Sequence, residues 1–165
     1  MTIRTLLSEE IWMMKNDEQQ GGCACGSIRY AVSGKTVWSA GCCCRDCARA
    51  TGTPYVVWVG FPPERVRYLS GAPRVYTSSE GVLRGFCETC GTSLTYGRDP
   101  AFEAVEPTLY IAAATLDDPD AYPPTEVVWY GQRPGWYDLS TDIPLHETIS
   151  VANAARSLTH VLKNK

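Results

Sequence analysis

Eight cysteines lie in three tight groups, Cys23-x-Cys25, Cys42-Cys43-Cys44-x2-Cys47 and Cys87-x2-Cys90, in a chain of 165 residues with only two histidines. No other feature constrains the fold as much. In an exported chain such a count would read as a disulfide framework. The first residues argue against export: Glu9, Glu10 and Asp17 surround the apolar run Ile11–Met14, which is too short for a signal-peptide core. No run approaches the roughly 20 apolar residues that span a bilayer. The expected location is therefore the cytoplasm, where thiols stay reduced and close cysteine spacings point to metal thiolates.

The outer groups look like two halves of one site. In Cys87-Glu88-Thr89-Cys90-Gly91 the two-residue spacing and following glycine suit a zinc knuckle, whose turn aims both sulfurs and nearby N–H groups at an ion. Cys23-Ala24-Cys25-Gly26 does the same with one residue fewer, since alternate side chains of an extended stretch share a face. Together Cys23, Cys25, Cys87 and Cys90 supply four ligands, which completes a closed, structural zinc site. The competing readings are a pair of disulfides or buried free thiols.

The middle group has a different character. Cys42, Cys44 and Cys47 can converge, while Cys43 points away if the backbone there is extended. Three protein ligands leave one coordination position open, as in catalytic zinc sites. Three thiolates also make zinc a poor activator of water and a better holder of a soft fourth ligand, meaning a thiolate. Two alternatives stand beside this. Cys43 closes the site as a fourth ligand, or all eight cysteines build two closed, purely structural sites.

Between the cysteines the chain has the texture of a β protein. Short runs rich in Val, Tyr, Trp and Ile cover 27–32, 37–40, 55–61, 65–69, 74–77, 83–87, 93–96, 109–114 and 126–130, punctuated by Gly and Pro turns. Helical periodicity is confined to Cys44–Ala50, a possible start near Ser8, and Glu147–Lys163, where Ile149, Val151, Ala154, Leu158 and Leu162 fall roughly on one face. The expected architecture is mainly β: one domain of several small coiled antiparallel sheets stapled by zinc, with a short C-terminal helix. The expected boundaries are an appendage over 1–18, the zinc-binding domain over 19–145 and a helical tail over 146–165.

The order of the motifs resembles the glutathione-dependent formaldehyde-activating enzyme family, which also includes centromere protein V-like proteins. The matching stretches are Gly22–Tyr30, Cys42-Cys43-Cys44-Arg45-Asp46-Cys47-Ala48-Arg49, Gly85–Leu94, Leu116-Asp117-Asp118-Pro119 and the Trp136 region ahead of Pro144. The resemblance implies a β-rich fold with two zinc ions per chain, a structural one on Cys23, Cys25, Cys87 and Cys90 and a catalytic one on Cys42, Cys44 and Cys47. It also implies the condensation of formaldehyde with glutathione to S-(hydroxymethyl)glutathione, formally a carbon–sulfur lyase in reverse. The chain departs from the family pattern at Cys43, where a histidine or small polar residue is common, and at Val127, where many members carry a histidine.

On this reading a small thiol, glutathione, and a small aldehyde are the partners. Glutathione has two carboxylates, and Arg45 and Arg49 are the arginines that the zinc motif itself carries to them. Arg84 and Arg98, beside the other knuckle, read mainly as solvated surface charge. Asp46 reads as a turn residue and His146 as exposed. Trp38, Tyr55, Trp58, Phe86, Tyr96, Trp129 and Trp136 are candidates for a pocket wall, although aromatics at strand spacing are more often core. A net charge of −3 with scattered arginines gives no footprint for nucleic acid. The alternative to an enzyme is a non-catalytic zinc-binding interaction module.

Overall fold

The computed structural model describes residues 18–102 and 106–150. The helix start near Ser8 and residues 151–163 of the C-terminal helix lie outside this range. Within it, 147–150 is bent rather than helical. The carbonyls of Glu147 and Thr148 instead accept from Gly131 N (3.3 Å) and Trp129 N (2.9 Å), which commits this stretch to packing beside an earlier strand.

The protein is mainly β. Its strands are β1 Glu18–Gly22, β2 Arg29–Ser33, β3 Trp38–Cys42, β4 Val56–Phe61, β5 Val66–Ser70, β6 Arg74–Ser79, β7 Val82–Phe86, β8 Ser93–Arg98, β9 Leu109–Ala112 and β10 Glu126–Val128. An α-helix, α1 Arg45–Thr51, joins β3 to β4. The strands gather into two sheets: β1-β2-β5, and a seven-stranded sheet in the order β10-β3-β4-β9-β8-β7-β6. All pairings are antiparallel except that of β10 with β3. Among the described residues no helix is long and apolar enough to cross a membrane.

Two strands end earlier than the apolar runs suggest. β9 stops at Ala112, where Ala113–Thr115 turns into a 3-10 helix. β10 stops at Val128 because Trp129 takes a left-handed conformation (φ 58°), the one non-glycine residue with positive φ among those described.

Strand alternation gives the large sheet two functional faces. On one, Val59, Phe61 and Ile111 pack against Tyr30 and Val32 of the small sheet, with Leu94, Leu116, Cys23 and Cys87 around them. This is the main core. Leu94 reaches it through a bulge: Gly85 pairs with Thr95 and Phe86 with Ser93, which leaves Leu94 unmatched.

The opposite face carries a different row. Reading directly across the strands, Trp38 faces Gly60, Gly60 faces Tyr110, Tyr110 faces Tyr96, Tyr96 faces Arg84, and Arg84 faces Tyr76. Gly60 is what lets the row close up. A Cβ there would stand 2.8 Å from the Tyr110 ring, and in its absence Tyr110 and Trp38 meet edge to face at 5.8 Å. Tyr110 continues to Tyr96 at 5.3 Å, and Tyr96 to Trp58 at 5.8 Å. Cross-strand aromatic contacts of this kind stabilise a sheet locally and give it a stiff, largely apolar surface.

Candidate metal centres

The two knuckles are built alike and on different sheets. Cys23–Gly26 turns between β1 and β2, with Gly26 N donating to Cys23 O (3.0 Å) and Cys23 N to Ile28 O (3.0 Å). Cys87–Gly91 turns between β7 and β8, with Gly91 N donating to Cys87 O (2.8 Å) and Cys87 N to Thr92 O (2.9 Å). Gly26 (φ 76°) and Gly91 (φ 75°) supply the left-handed residue each turn requires. The turns meet: Ala24 N donates to Thr92 Oγ1 (3.1 Å), and the four sulfurs of Cys23, Cys25, Cys87 and Cys90 lie within 4.8 Å of one another.

This set fits zinc. A Zn–S bond of about 2.3 Å places tetrahedral sulfurs about 3.8 Å apart. Cys23 and Cys25 are separated by 3.5 Å, and Cys25 and Cys87 by 3.8 Å. The turns also supply donors to the sulfurs, with Ile28 N reaching Cys23 Sγ at 3.2 Å. The Thr92 hydroxyl, 3.1 Å from Cys90 Sγ, leads the hydrogen bonds that hold Cys90 down to about 5. None of the eight cysteines is paired in a disulfide, and the outer sulfurs stand 3.5 and 3.8 Å apart, at ligand rather than bond distance.

The second centre sits where β3 runs into α1. Cys42 ends the strand, Cys44 is the helix N-cap in extended conformation, and Cys47 lies in the first turn. The Cys44 sulfur accepts from Cys47 N (3.3 Å), taking the place a serine or aspartate usually fills at an N-cap. At the other end Gly52 (φ 71°) closes the helix through its N–H to Ala48 O (2.8 Å). The sulfurs of Cys42, Cys44 and Cys47 again lie within 4.8 Å of one another. Cys43 does not join them. Its N–H donates to Val128 O (3.1 Å), and its side chain is buried with Val127 and Tyr130 on the far side of the backbone. Strand geometry turns Cys43 away, as an extended backbone implies, and the alternative of Cys43 as a fourth ligand falls.

Electrostatics concentrate charge on one sulfur. Hydrogen bonds from the thiols of Cys42 and Cys44, together with Arg84, hold Cys47 down to about 2. Cys42 is pushed up in return, first by its hydrogen bonding to Cys44 and Cys47 and then by burial. Trp58, Ala112 and Val128 pack on these sulfurs, with Trp38, Val56, Tyr96, Tyr110 and Trp129 partly buried around them.

The arginines fall differently from the sequence reading. Arg45 and Arg49 are exposed on α1, where the Arg45 N–H is tied to Gln132 Oε1 (3.0 Å). Arg98 is exposed, as expected. Arg84 is not surface charge: it is 4% exposed, and its Nη2 donates to Cys47 Sγ at 3.6 Å. The correction has a physical cause. Alternation along β7 puts Arg84 on the Tyr96 face, but only the fold shows that α1 covers this end of the sheet.

Of the candidate aromatics, Trp38, Trp58, Tyr96 and Trp129 gather at the three-cysteine centre. Tyr55 packs beside Cys43, Phe86 meets Tyr76 edge to face, and Trp136 is 78% exposed. Tyr110 belongs with the first group and went unremarked in the sequence, where its run Leu109–Ala114 reads as ordinary strand. Asp46 is exposed in the first turn of α1, suited to the positive end of the helix. His146 is half-buried and sits 3.1 Å from Glu126, whose carboxylate also accepts from Trp38 Nε1.

With the geometry in hand, comparison with known families gives a match. Residues 18–132 fit the family model described as glutathione-dependent formaldehyde-activating enzyme. The chain belongs to this family. The match covers more than half of the chain and takes in every cysteine of both centres. Comparison with curated proteins finds no match. Two cysteine clusters that can each hold a metal ion are consistent with zinc in a family of this kind.

Proposed function

We propose that the protein is a zinc-dependent enzyme that joins glutathione to formaldehyde, giving S-(hydroxymethyl)glutathione, or acts on a closely related thiol–aldehyde adduct. The observation that carries this is the convergence at the end of β3 of three sulfurs, with no fourth among the described residues, backed by the family match. Cys23, Cys25, Cys87 and Cys90 would hold a structural ion, and Cys42, Cys44 and Cys47 a second ion with a place for substrate. Zinc held by three thiolates supplies a soft Lewis acid that keeps an incoming thiol deprotonated at neutral pH.

The remaining work falls to the chain itself. Trp38, Trp58, Tyr96 and Tyr110 form a stiff wall that excludes water beside the reacting sulfur. Arg45 and Arg49, exposed on the helix that carries Cys44 and Cys47, offer guanidinium groups to the two carboxylates of glutathione. The sulfur lone pair adds to the aldehyde carbon, the C=O π pair moves to oxygen, and that oxygen takes a proton from solvent. Thiol addition to formaldehyde is facile, so holding a deprotonated sulfur next to the aldehyde is the main contribution.

The test is zinc per chain in anaerobically purified protein, with and without glutathione, beside Cys44→Ser. The expected result is two zinc ions, one in the variant, with glutathione shielding the second ion from a chelator. Two ions indifferent to glutathione would instead identify a non-catalytic zinc module.

A further inference from the structure

Arg84 is a buried cation with an unusual set of partners. Its Nε donates to Ser78 Oγ (3.2 Å) across the β6–β7 hairpin, and its Cζ lies 5.2 Å from the centre of the Tyr96 ring. Its Nη2 reaches Cys47, while Nη1 is buried with no hydrogen-bond partner among the described residues. Among the same residues no carboxylate forms an ion pair with it. A guanidinium does not shed its proton in a protein, so its charge must be met by an anion nearby. Among the described residues, the anionic chemistry in contact with it is that of the cysteine centre.

The count of charges then matters. Three thiolates around a divalent ion leave −1, and a substrate thiolate would bring the centre to −2 in a place where Trp58, Ala112 and Val128 exclude water. Doubling a buried charge is costly, and a neutral fourth ligand would be preferred. With Arg84 in contact the totals become 0 and −1.

We infer that Arg84 is the residue that makes the three-cysteine centre accept an anionic sulfur rather than a neutral fourth ligand. It acts through Cys47, as a positioning and charge-balancing residue, and Ser78 and Tyr96 hold its guanidinium in place. The inference rests on the proposed open zinc site but not on the identity of the aldehyde. Arg45 and Arg49 cannot take this role: both are exposed, where solvent screens their charge.

Cobalt-substituted protein provides the test, because its absorption spectrum reports ligands at the open position. Two probes are titrated: 2-mercaptoethanol, a thiol with no carboxylate, and imidazole, a neutral ligand. Wild type is expected to bind the thiol more tightly than imidazole. Arg84→Gln should weaken thiol binding about tenfold or more and imidazole less than threefold, and Arg84→Lys should recover most of the thiol affinity. Equal weakening of both probes, or no change in either, would show a merely structural residue and overturn the inference. If Arg84→Gln does not fold, the wild-type order decides: imidazole tighter than thiol, or no thiol binding, overturns it. Formation of S-(hydroxymethyl)glutathione is followed separately by 13C NMR. Arg84-dependent thiol binding without acceleration of that reaction ends the proposed reaction and leaves this inference standing. Acceleration that Arg84→Gln retains in full does the reverse.

Discussion

Replacing Tyr30 by phenylalanine removes one oxygen from the main core and should change stability in opposite directions at neutral and alkaline pH. Tyr30 is buried between the sheets, with its hydroxyl 2.7 Å from Thr115 Oγ1. The Thr115 hydroxyl spends its own proton on Ala112 O (2.7 Å), so Tyr30 must be the donor. At pH 7 the variant loses that hydrogen bond, at a cost of about 1 kcal/mol. Ionising Tyr30 would place a phenolate in the core, and burial pushes it up from 10.0 to about 12. The folded state thus binds this proton more tightly than the unfolded state. The stabilisation is whole below pH 10 and is lost as pH rises through 12. Linkage gives wild type a loss of about 1 kcal/mol by pH 11, growing as pH rises further, which the variant escapes. The gap between the two stability curves should therefore close at about pH 11 and reverse above it. Urea unfolding of the zinc-loaded proteins at several pH values between 7 and 11 measures this directly. A gap of constant size across that range would refute the assignment of Tyr30 as a buried, hydrogen-bond-donating phenol.

Three further outcomes are expected. Cys43→Ala should keep the same zinc content as wild type in elemental analysis, because Cys43 faces Val127 and Tyr130 and not the other sulfurs. Phe61→Ala, at a fully buried site between the sheets, should cost about 3–5 kcal/mol in denaturant unfolding, while a loss below 1 kcal/mol would mean the core is packed elsewhere. Gly52→Ala introduces a Cβ that meets nothing within 4 Å, so its expected cost of about 1 kcal/mol in a thermal or urea melt is pure left-handed backbone strain at the end of α1.

The residues that declare themselves in the sequence are those whose chemistry is local. The knuckles are legible because Cys, spacing and a following glycine specify a turn within five residues. Most strands are legible because Val, Trp and Tyr alternate over five or six positions. β1 is not: Glu18-Gln19-Gln20-Gly21-Gly22 has no strand-forming residue, and it is extended because it pairs with β2. There Gly21 lies opposite Tyr30, with space for the phenol ring that a Cβ would invade at 2.4 Å. The burial of Arg84 and the inclusion of Tyr110 were hidden for a related reason. Alternation states which face a side chain takes, whereas the cover on that face comes from α1 and from strands paired across long sequence distances. The parallel β10–β3 pair, which sets Val128 beside Cys42, leaves no local trace at all.

The two cysteine sets also differ in how much chain must be drawn together to form them. Cys42, Cys44 and Cys47 lie within a single turn and its approach, whereas Cys25 and Cys87 are 62 residues apart. Loop closure grows with the logarithm of length, so bringing the distant knuckles together costs about 2 kcal/mol more than gathering the local trio. In the unfolded chain the trio is therefore the more readily assembled trap for a thiophilic ion. The knuckles instead meet across two sheets, one on the β1–β2 turn and the other on the β7–β8 turn. The joint that fastens the two sheets is in this sense a clasp that costs more to close, and the spacing of the cysteines sets that cost.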